Sequence, residues 1–408
     1  MNVWLIKAEP YPFIPGASLM RIGTLAQTLS EKGHQVLWWG SSFSHSHKIF
    51  ISEPDEIKQI SPNLRIRLLG GPGYKKNISL KRYIHTRALA RRFAELAPKE
   101  QPPDVIVCCL PSHEECYEAV KYAKARNIPI YIDIRDLWPD ILIAGIPSFL
   151  KPFGRLLLGG DIRRTRYALK NATGIIGISE SYLNFGLKYA GRARRNTDAI
   201  FYLGAPELEP MPPDAEIKYP WVSQLKGKTV FGFIGSFGNT YDIDIIVRAA
   251  KYFSDAGNTD FHFLVGGSGD DFDSIKAKAE GLTNITLTGW LQKEGINVLL
   301  RSSHVGLATY AKNAPQSLPN KPFQYFSAGL PIITSLDTDC KSLLYNNNLG
   351  VYYQADNLDN FISSVSSFAS IKKDNKINTR ILELFNIYYS YKVIYSHYAS
   401  FIVSNNLK

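Results

Sequence analysis

From Thr229 onward the chain repeats one pattern: an apolar run, a glycine-containing loop, then a helical stretch. Val230–Ile234 leads into Gly235-Ser236-Phe237-Gly238 and a helical pattern ending near Phe253. Phe261–Val265 leads into Gly266-Gly267-Ser268-Gly269 and a helix through Ala279, and Ile285–Leu287 into the turn Gly289-Trp290. Short apolar runs alternating with helical periodicity fit strands joined by helical crossovers, which makes the sheet parallel. Ligands of such sheets bind beyond the carboxyl ends of the strands, where the glycines lie.

The first half repeats the pattern. Val3–Ile6 reads as a buried strand, followed by a loop holding Pro10, Pro12, Pro15 and Gly16. The helical pattern Leu19, Ile22, Leu25, Ala26, Leu29 comes next, then the strand Gln35–Trp39. Gly16 stands at the switch into the helix. Asp104–Leu110, a helix from His113 to Arg126 and Pro129–Ile134 continue the series, and Gly174–Ser179 is a further strand. Gly204-Ala205-Pro206 and the acidic, proline-rich stretch to Pro213 read as a linker. The expected fold is α/β, with two Rossmann-like domains, parallel sheets and a cleft between them.

The most sharply bounded element lies between Gln316 and Thr334. Asn320 is a good helix cap, Pro322 suits a first turn, Gly329 closes a helix in the left-handed conformation, and Pro331 stops it before the strand Ile332-Ile333. Free N–H groups and the positive dipole end of that helix, with Lys321 beside them, would hold a phosphate. A capped connection with a solvated lysine is the other reading.

The chain has 408 residues and a net charge of +11. Residues 1–205 carry 29 Lys+Arg against 17 Asp+Glu, and the rest 18 against 19, so the excess belongs to the first half. Such asymmetry implies an anionic partner. Ile146–Ala168 joins apolar Phe149, Leu150, Phe153, Leu156, Leu157 and Leu158 to basic Lys151, Arg155, Arg163, Arg164 and Arg166. It reads either as a segment lying on an anionic membrane surface or as a core-facing helix with a solvated basic face. No apolar run reaches the ~18 residues of a membrane span. Basic and aromatic residues do not interleave as in an RNA motif, which counts against nucleic acid. Four cysteines make no disulfide framework, and reduced thiols fit a cytoplasmic protein. His113 and Cys116 have metal-like spacing without a second pair, and Asp271-Phe272-Asp273 and Asp337-Thr338-Asp339 are better explained as helix start and loop, so no metal site is expected.

These landmarks, in this order, resemble the retaining, nucleotide-sugar-dependent glycosyltransferases of family 4, which have the GT-B architecture. The resemblance is carried by Lys32-Gly33-His34-Gln35-Val36, by Ile176–Ser179, by Leu203–Pro206, and by Gly235–Ala250, Val265–Gly269, Leu287–Gly289 and Pro319–Ile332. Arg135-Asp136-Leu137-Trp138-Pro139 is similar to a signature of a bacterial branch acting in surface-polysaccharide synthesis, such as O-antigen or capsule. The resemblance implies an acceptor-binding domain over 1–205, a nucleotide-sugar-binding domain over 206–385, and a C-terminal helix, 386–408, returning to the first domain. It implies a UDP-sugar as donor, no further cofactor, and a lipid-diphosphate-linked saccharide as acceptor at the inner face of the cell membrane.

The residues expected around the donor are Gly16, Gly235, Ser236, Gly266, Trp290, Gln316, Asn320, Lys321 and Gln324. The family's two glutamates separated by seven residues fall here on Gln316 and Gln324, which keep an acceptor oxygen but lose the charge. The family's arginine and lysine after the first glycine of the second domain are replaced by Ser236 and Tyr241, leaving Lys321 to neutralise phosphate. Arg21, Arg135 and the basic residues of 151–166 are candidates for the acceptor's diphosphate. Asp136 and His113 are candidates for deprotonating its hydroxyl, set against local ion-pairing and capping roles. A GT-B-fold UDP-sugar epimerase and a catalytically degenerate donor-binding subunit are the alternatives to a transferase.

Overall fold

The computed structural model describes residues 1–8, 20–76, 79–371 and 376–406. Two compact units divide the chain, Met1–Tyr202 with Ile394–Lys408, and Leu203–Val393.

The strands of the first unit are β1 (Asn2–Ile6), β2 (Gln35–Ser41), β3 (Phe43–Ser44), β4 (Ile49–Phe50), β5 (Glu56–Ser61), β6 (Leu64–Leu69), β7 (Val105–Leu110), β8 (Ile130–Ile134), β9 (Gly174–Gly177) and β10 (Ala199–Ile200). Eight of them form one sheet in the order β10-β9-β8-β7-β1-β2-β6-β5, and β3 pairs with β4 apart from it. The sheet is parallel except for β5 against β6. Only Pro62-Asn63 separates that pair, too little chain for a parallel crossover. β1 and β7 lie mid-sheet with both faces covered, which is why Val3–Ile6 and Val105–Leu110 are apolar throughout. On one face Trp4 packs against Trp39 and Tyr122, with ring centroids 5.1 and 5.2 Å away.

Arg21, expected to meet substrate, is instead buried at the centre of this unit. It opens the helix Arg21–Glu31 and binds Asp133 of β8 through two nitrogens, Nε to Oδ2 at 2.7 Å and Nη2 to Oδ1 at 3.1 Å. Nη1 donates to the carbonyls of Phe201 and Tyr202 at 2.8 and 3.1 Å, and the guanidinium lies 5.0 Å from the ring centre of Tyr398. One side chain thus ties a helix, a strand, the end of the unit's main segment and its C-terminal helix together. The sequence shows an arginine; only the fold supplies its carboxylate.

The last helix, Tyr391–Ser404, buries Ile394, Tyr395, Tyr398, Ala399 and Ile402, and Tyr398 stacks on Phe201 at 4.5 Å. Before it, Lys376–Leu384 and a wide turn over Phe385–Tyr389 belong to the second unit. Asn375, where the sequence suggests helix, lies outside the described residues, as does Gly16. The basic apolar segment is broken into Ser148–Leu150, Lys151–Leu157 and Gly159–Asn171, with the break before Gly159-Gly160. No helix among the described residues is long and apolar enough to cross a membrane.

The second unit has β11 (Thr229–Ile234), β12 (Phe261–Gly266), β13 (Ile285–Gly289), β14 (Val305–Ala308), β15 (Ile332–Thr334) and β16 (Gly350–Tyr352), all parallel, in the order β13-β12-β11-β14-β15-β16. Its core gathers Phe231, Phe233, Phe253, Phe261 and Phe263. The proline-rich stretch read as a linker is fixed to this unit. Asn297 Nδ2 and Arg301 Nε both donate to the carbonyl of Glu209 at 3.0 Å, and Lys293 pairs with the Glu209 carboxylate at 2.7 Å.

Asp133→Ala should therefore lower the unfolding free energy of the first unit by about 3–5 kcal/mol, because it leaves a buried guanidinium unpaired. Urea denaturation followed by circular dichroism reads the change. Replacing both partners by apolar residues, Arg21→Met with Asp133→Leu, should cost much less.

Candidate functional site

The chain enters the second sheet at β11, builds outward through β12 and β13, then crosses to the other side for β14, β15 and β16. The reversal between β11 and β14 opens a crevice at the carboxyl ends of those strands. Three loops meet there. Gly235 N–H donates to Gly266 O at 3.0 Å, Phe237 N–H to Ser268 O at 3.0 Å, and Gly267 N–H to Gly289 O at 2.8 Å. Gly267 has φ +141°, and a Cβ on it would lie 1.8 Å from Gly235 O, so any other residue would push the loops apart.

The helix Asn320–Ser327 joins β14 to β15 and docks through one face. Tyr325 fits where Gly306 has no side chain, since a Cβ there would come within 2.4 Å of its ring. Its hydroxyl accepts from Ile234 N–H at 3.3 Å and donates to Leu307 O at 2.6 Å, bridging β11 and β14 at the reversal. On the opposite side of the helix, Phe323 and Phe326 pack on Tyr389, at 5.6 and 5.8 Å. Pro319, extended at ψ 177°, is the N-cap, and Asn320 is the first helical residue with no capping bond, which corrects the expectation for Asn320. Gly329 does close the helix, at φ +71°.

Lys321 lies one turn before Tyr325 on the same face, so the docking of Tyr325 carries it into the sheet. It is 6% exposed. Its Nζ donates to the carbonyl of Ile234, the last residue of β11, and lies 4.2 Å from the ring centre of Phe233 and 4.1 Å from that of Tyr241. A Cβ at Gly235 would stand 2.9 Å from this nitrogen, so the glycine makes room for the ammonium. Among the described residues no carboxylate pairs with it. Burial pushes its pKa down to about 7. Aromatic faces and one carbonyl favour the cation but do not replace its hydration. The site is a preformed, undersatisfied positive charge beside glycine loops and a helix N-terminus, which is the requirement for an anion.

The other donor-side candidates are placed as follows. Gly235, Gly266 and Lys321 are brought together. Ser236 is exposed in the same loop, and Trp290, after Gly289, is 71% exposed. Gln324 is exposed, three residues after Lys321 and so next to it on the helix surface. Gln316 has its Oε1 buried without a hydrogen-bond partner. The segment following it is pinned, as Ser317 Oγ donates to Asp339 Oδ2 at 2.7 Å and Thr338 Oγ1 to Ser317 O at 2.6 Å. Asp339 is thereby engaged, and Asp337 pairs with Lys341 at 2.9 Å. Tyr241, at the position of one of the family's basic residues, has its ring tilted against that of Tyr310 with centroids 4.8 Å apart across the reversal, and Tyr310 carries no sequence signal that marks it as a site residue.

In the first unit, Asp136 follows β8 and its Oδ1 accepts from Leu137 N–H at 2.9 Å. Burial raises its pKa, while Lys7, Arg82 and Arg135 pull it back. Arg82 rests 5.1 Å from the ring centre of Trp138. Glu115, which the sequence hides within an amphipathic helix, is buried near Asp136's basic neighbour Lys7, and burial lifts its pKa to about 7. His113 is buried, with Nδ1 3.3 Å from Pro111 O and Nε2 in contact with Glu114 and Asp161. Both of its nitrogens face groups inside the unit.

Residues 228–370, within the second unit, match the family model described as Glycosyl transferases group 1. No curated protein sequence matches the chain. Among solved structures, a sucrose-phosphate synthase from Thermosynechococcus elongatus is similar with a TM-score of 0.70 and 13% identity, covering 99% of this chain and 98% of that one. HepE of Anabaena, in complex with UDP, gives 0.65 and 11%, covering 99% and 100%. WaaG, a glycosyltransferase involved in lipopolysaccharide biosynthesis, gives 0.64 and 13%, covering 98% and 99%. The fold is GT-B, with its two parallel-sheet α/β units.

The depressed pKa of Lys321 fixes a pH dependence. Between about 7 in the folded chain and 10.5 unfolded, the unfolded state binds the extra proton, so this group's contribution to stability rises with pH across that window. Lys321→Met should stabilise the second unit at pH 7 or below by a few kcal/mol, since each tenfold loss of proton affinity on folding is worth about 1.4 kcal/mol. It should also flatten the rise above pH 7. Urea midpoints at pH 6 and pH 9 for both proteins check this.

Proposed function

We propose that the chain is a retaining glycosyltransferase that moves a hexosyl or N-acetylhexosaminyl group from a UDP-sugar to a lipid-linked glycan acceptor in surface-polysaccharide synthesis. The observation that carries the proposal is the buried, unpaired Lys321 ammonium, set among glycine loops within the region matching group 1 glycosyl transferases. When the bond between the anomeric carbon and the β-phosphate oxygen breaks, negative charge accumulates on the leaving diphosphate. A positive group already in place, in surroundings where water does not screen it, stabilises that charge more than the ground state. Lys321 and the N–H groups opening its helix fill this role, and the orphaned Gln316 oxygen offers an acceptor for a ribose hydroxyl. UDP and UDP-glucose are the ligands named for the HepE structures, which supports a UDP-sugar as donor.

The first unit takes the acceptor. Asp136, with its pKa lifted by burial, receives the proton of the acceptor hydroxyl, and Arg135, Lys7 and Arg82 supply positive charge for its diphosphate. Phe149, Phe153, Leu156 and Leu157 are 81%, 65%, 78% and 76% exposed, beside Lys151, Arg155, Arg163 and Arg166. So many large apolar side chains in one short stretch favour a surface that enters a bilayer's headgroup region while the basic residues meet anionic lipid. A chain bound in this way would meet a lipid-linked acceptor at the inner face of the membrane.

Full-length protein with a panel of UDP-sugars and a lipid-diphosphate saccharide should release UDP and yield an extended lipid-linked product. UDP binding with neither transfer nor hydrolysis would instead favour a donor-binding subunit, and acceptor-independent conversion of a UDP-sugar would favour an epimerase. Phe149→Ser with Phe153→Ser should weaken partition onto anionic vesicles tenfold or more, since each buried aromatic is worth about 1.5–3 kcal/mol. Undiminished sedimentation with vesicles would contradict the membrane assignment.

A further inference from the structure

We infer that His113, Glu114 and Asp161 form a structural site for a first-row divalent cation, Zn²⁺ or Mn²⁺, inside the first unit. His113 and Glu114 open the helix His113–Ala125, and Asp161 lies in the first turn of Gly159–Asn171, packed against it. One ligand atom from each residue lies within 4.8 Å of the others. Nε2 of His113 is 2.9 Å from Glu114 Oε2 and 3.0 Å from Asp161 Oδ1, and all three side chains are only 5–6% exposed.

The ring's Nδ1 faces the Pro111 carbonyl, so the tautomer with its proton there points the Nε2 lone pair at two carboxylates. Lone pairs on three facing atoms repel unless a cation stands among them. A ligand histidine held through its other nitrogen by a backbone carbonyl is the usual arrangement around a metal. Nε2 and both oxygens of Glu114 make no aligned hydrogen bond, and the Thr165 hydroxyl, one turn beyond Asp161, is buried without a partner. Unsatisfied buried atoms on His113 and Glu114, facing one another, are costly in an empty core and are accounted for by a bound ion with its own water. Arg87 and Arg164 approach Glu114 Oε1 and Asp161 Oδ1 from the partly exposed rim, at 3.6 and 3.3 Å, and offset part of the carboxylate charge.

One imidazole nitrogen with carboxylate oxygens suits Zn²⁺ or Mn²⁺ better than the thiophilic metals. Cys108 and Cys116 face each other at 3.1 Å and stand outside the set. Along the chain His113 has Glu114 beside it and Cys116 at a metal-like spacing; in space the helix that follows the exposed apolar stretch supplies Asp161 as the third ligand. A cation here locks Gly159–Asn171 to the sheet's own helix and so anchors the segment Ser148–Leu157 that precedes it.

The test uses untagged full-length protein purified without chelator. Elemental analysis should find about one equivalent of Zn or Mn per chain, or, after EDTA and dialysis, calorimetry with ZnCl₂ or MnCl₂ should show about one site. EDTA should lower the melting temperature and the same salt should restore it. Asp161→Asn and His113→Gln should each reduce uptake at least tenfold while a UDP-induced thermal shift in the second unit persists. No stoichiometric metal and no uptake by the wild type would overturn the inference in favour of a protonated imidazole bridging the carboxylates. Undiminished uptake in both variants would overturn it too. If the variants do not fold, wild-type uptake and its EDTA response decide alone.

Discussion

A lysine ammonium buried with no carboxylate partner among the described residues is the constraint on which the second unit turns. Removing a cation from water is expensive, and the structure meets the cost only in part, with the carbonyl of Ile234 and the rings of Phe233 and Tyr241. Every neighbouring choice keeps the charge where it is. Gly235 clears its space, Gly306 lets Tyr325 seat the helix, and Tyr389 packs on the helix from behind. Under the proposed function, a residue that costs stability yet is positioned by so many others has its compensation in an anionic ligand at this end of a parallel sheet.

The first unit handles charge in the opposite manner. Arg21 is buried just as deeply, but Asp133 and two carbonyls satisfy it fully, which makes it a fastener for the C-terminal helix. The distinction between the two cations is one of partners, and partners come from tertiary structure. Both are single basic residues near a helix start in the sequence. One has a carboxylate opposite, and the other, among the described residues, has two rings and a strand-end carbonyl.

The alternation of apolar runs with helices already specified two parallel sheets, and glycines at strand ends marked where loops converge, because period and turn chemistry are local. Lys321 was legible as a site residue for the same reason, since Pro322, Gly329 and Pro331 bound its helix. The hairpin β5–β6 was passed over although Leu64, Ile66 and Leu68 alternate with Arg65 and Arg67, the period of a half-buried strand. Arg21 was misjudged and Glu115 passed over, since neither burial nor a pairing across more than a hundred residues shows in one dimension. His113 was read with its sequence neighbour Cys116, whereas its companion in space, Asp161, comes from a helix far along the chain. The proline-rich stretch looked like a free tether because its acceptors, the backbone carbonyls bound by Asn297 and Arg301, carry no sequence signal.

In the proposed function Lys321 holds the donor's diphosphate. Calorimetric binding of UDP and of uridine to wild type and Lys321→Met separates the phosphate contribution from that of the base and ribose. The substitution should weaken UDP by at least about tenfold, or roughly 1.4 kcal/mol, and leave the much weaker uridine affinity unchanged. Equal affinities for UDP in the two proteins would contradict it.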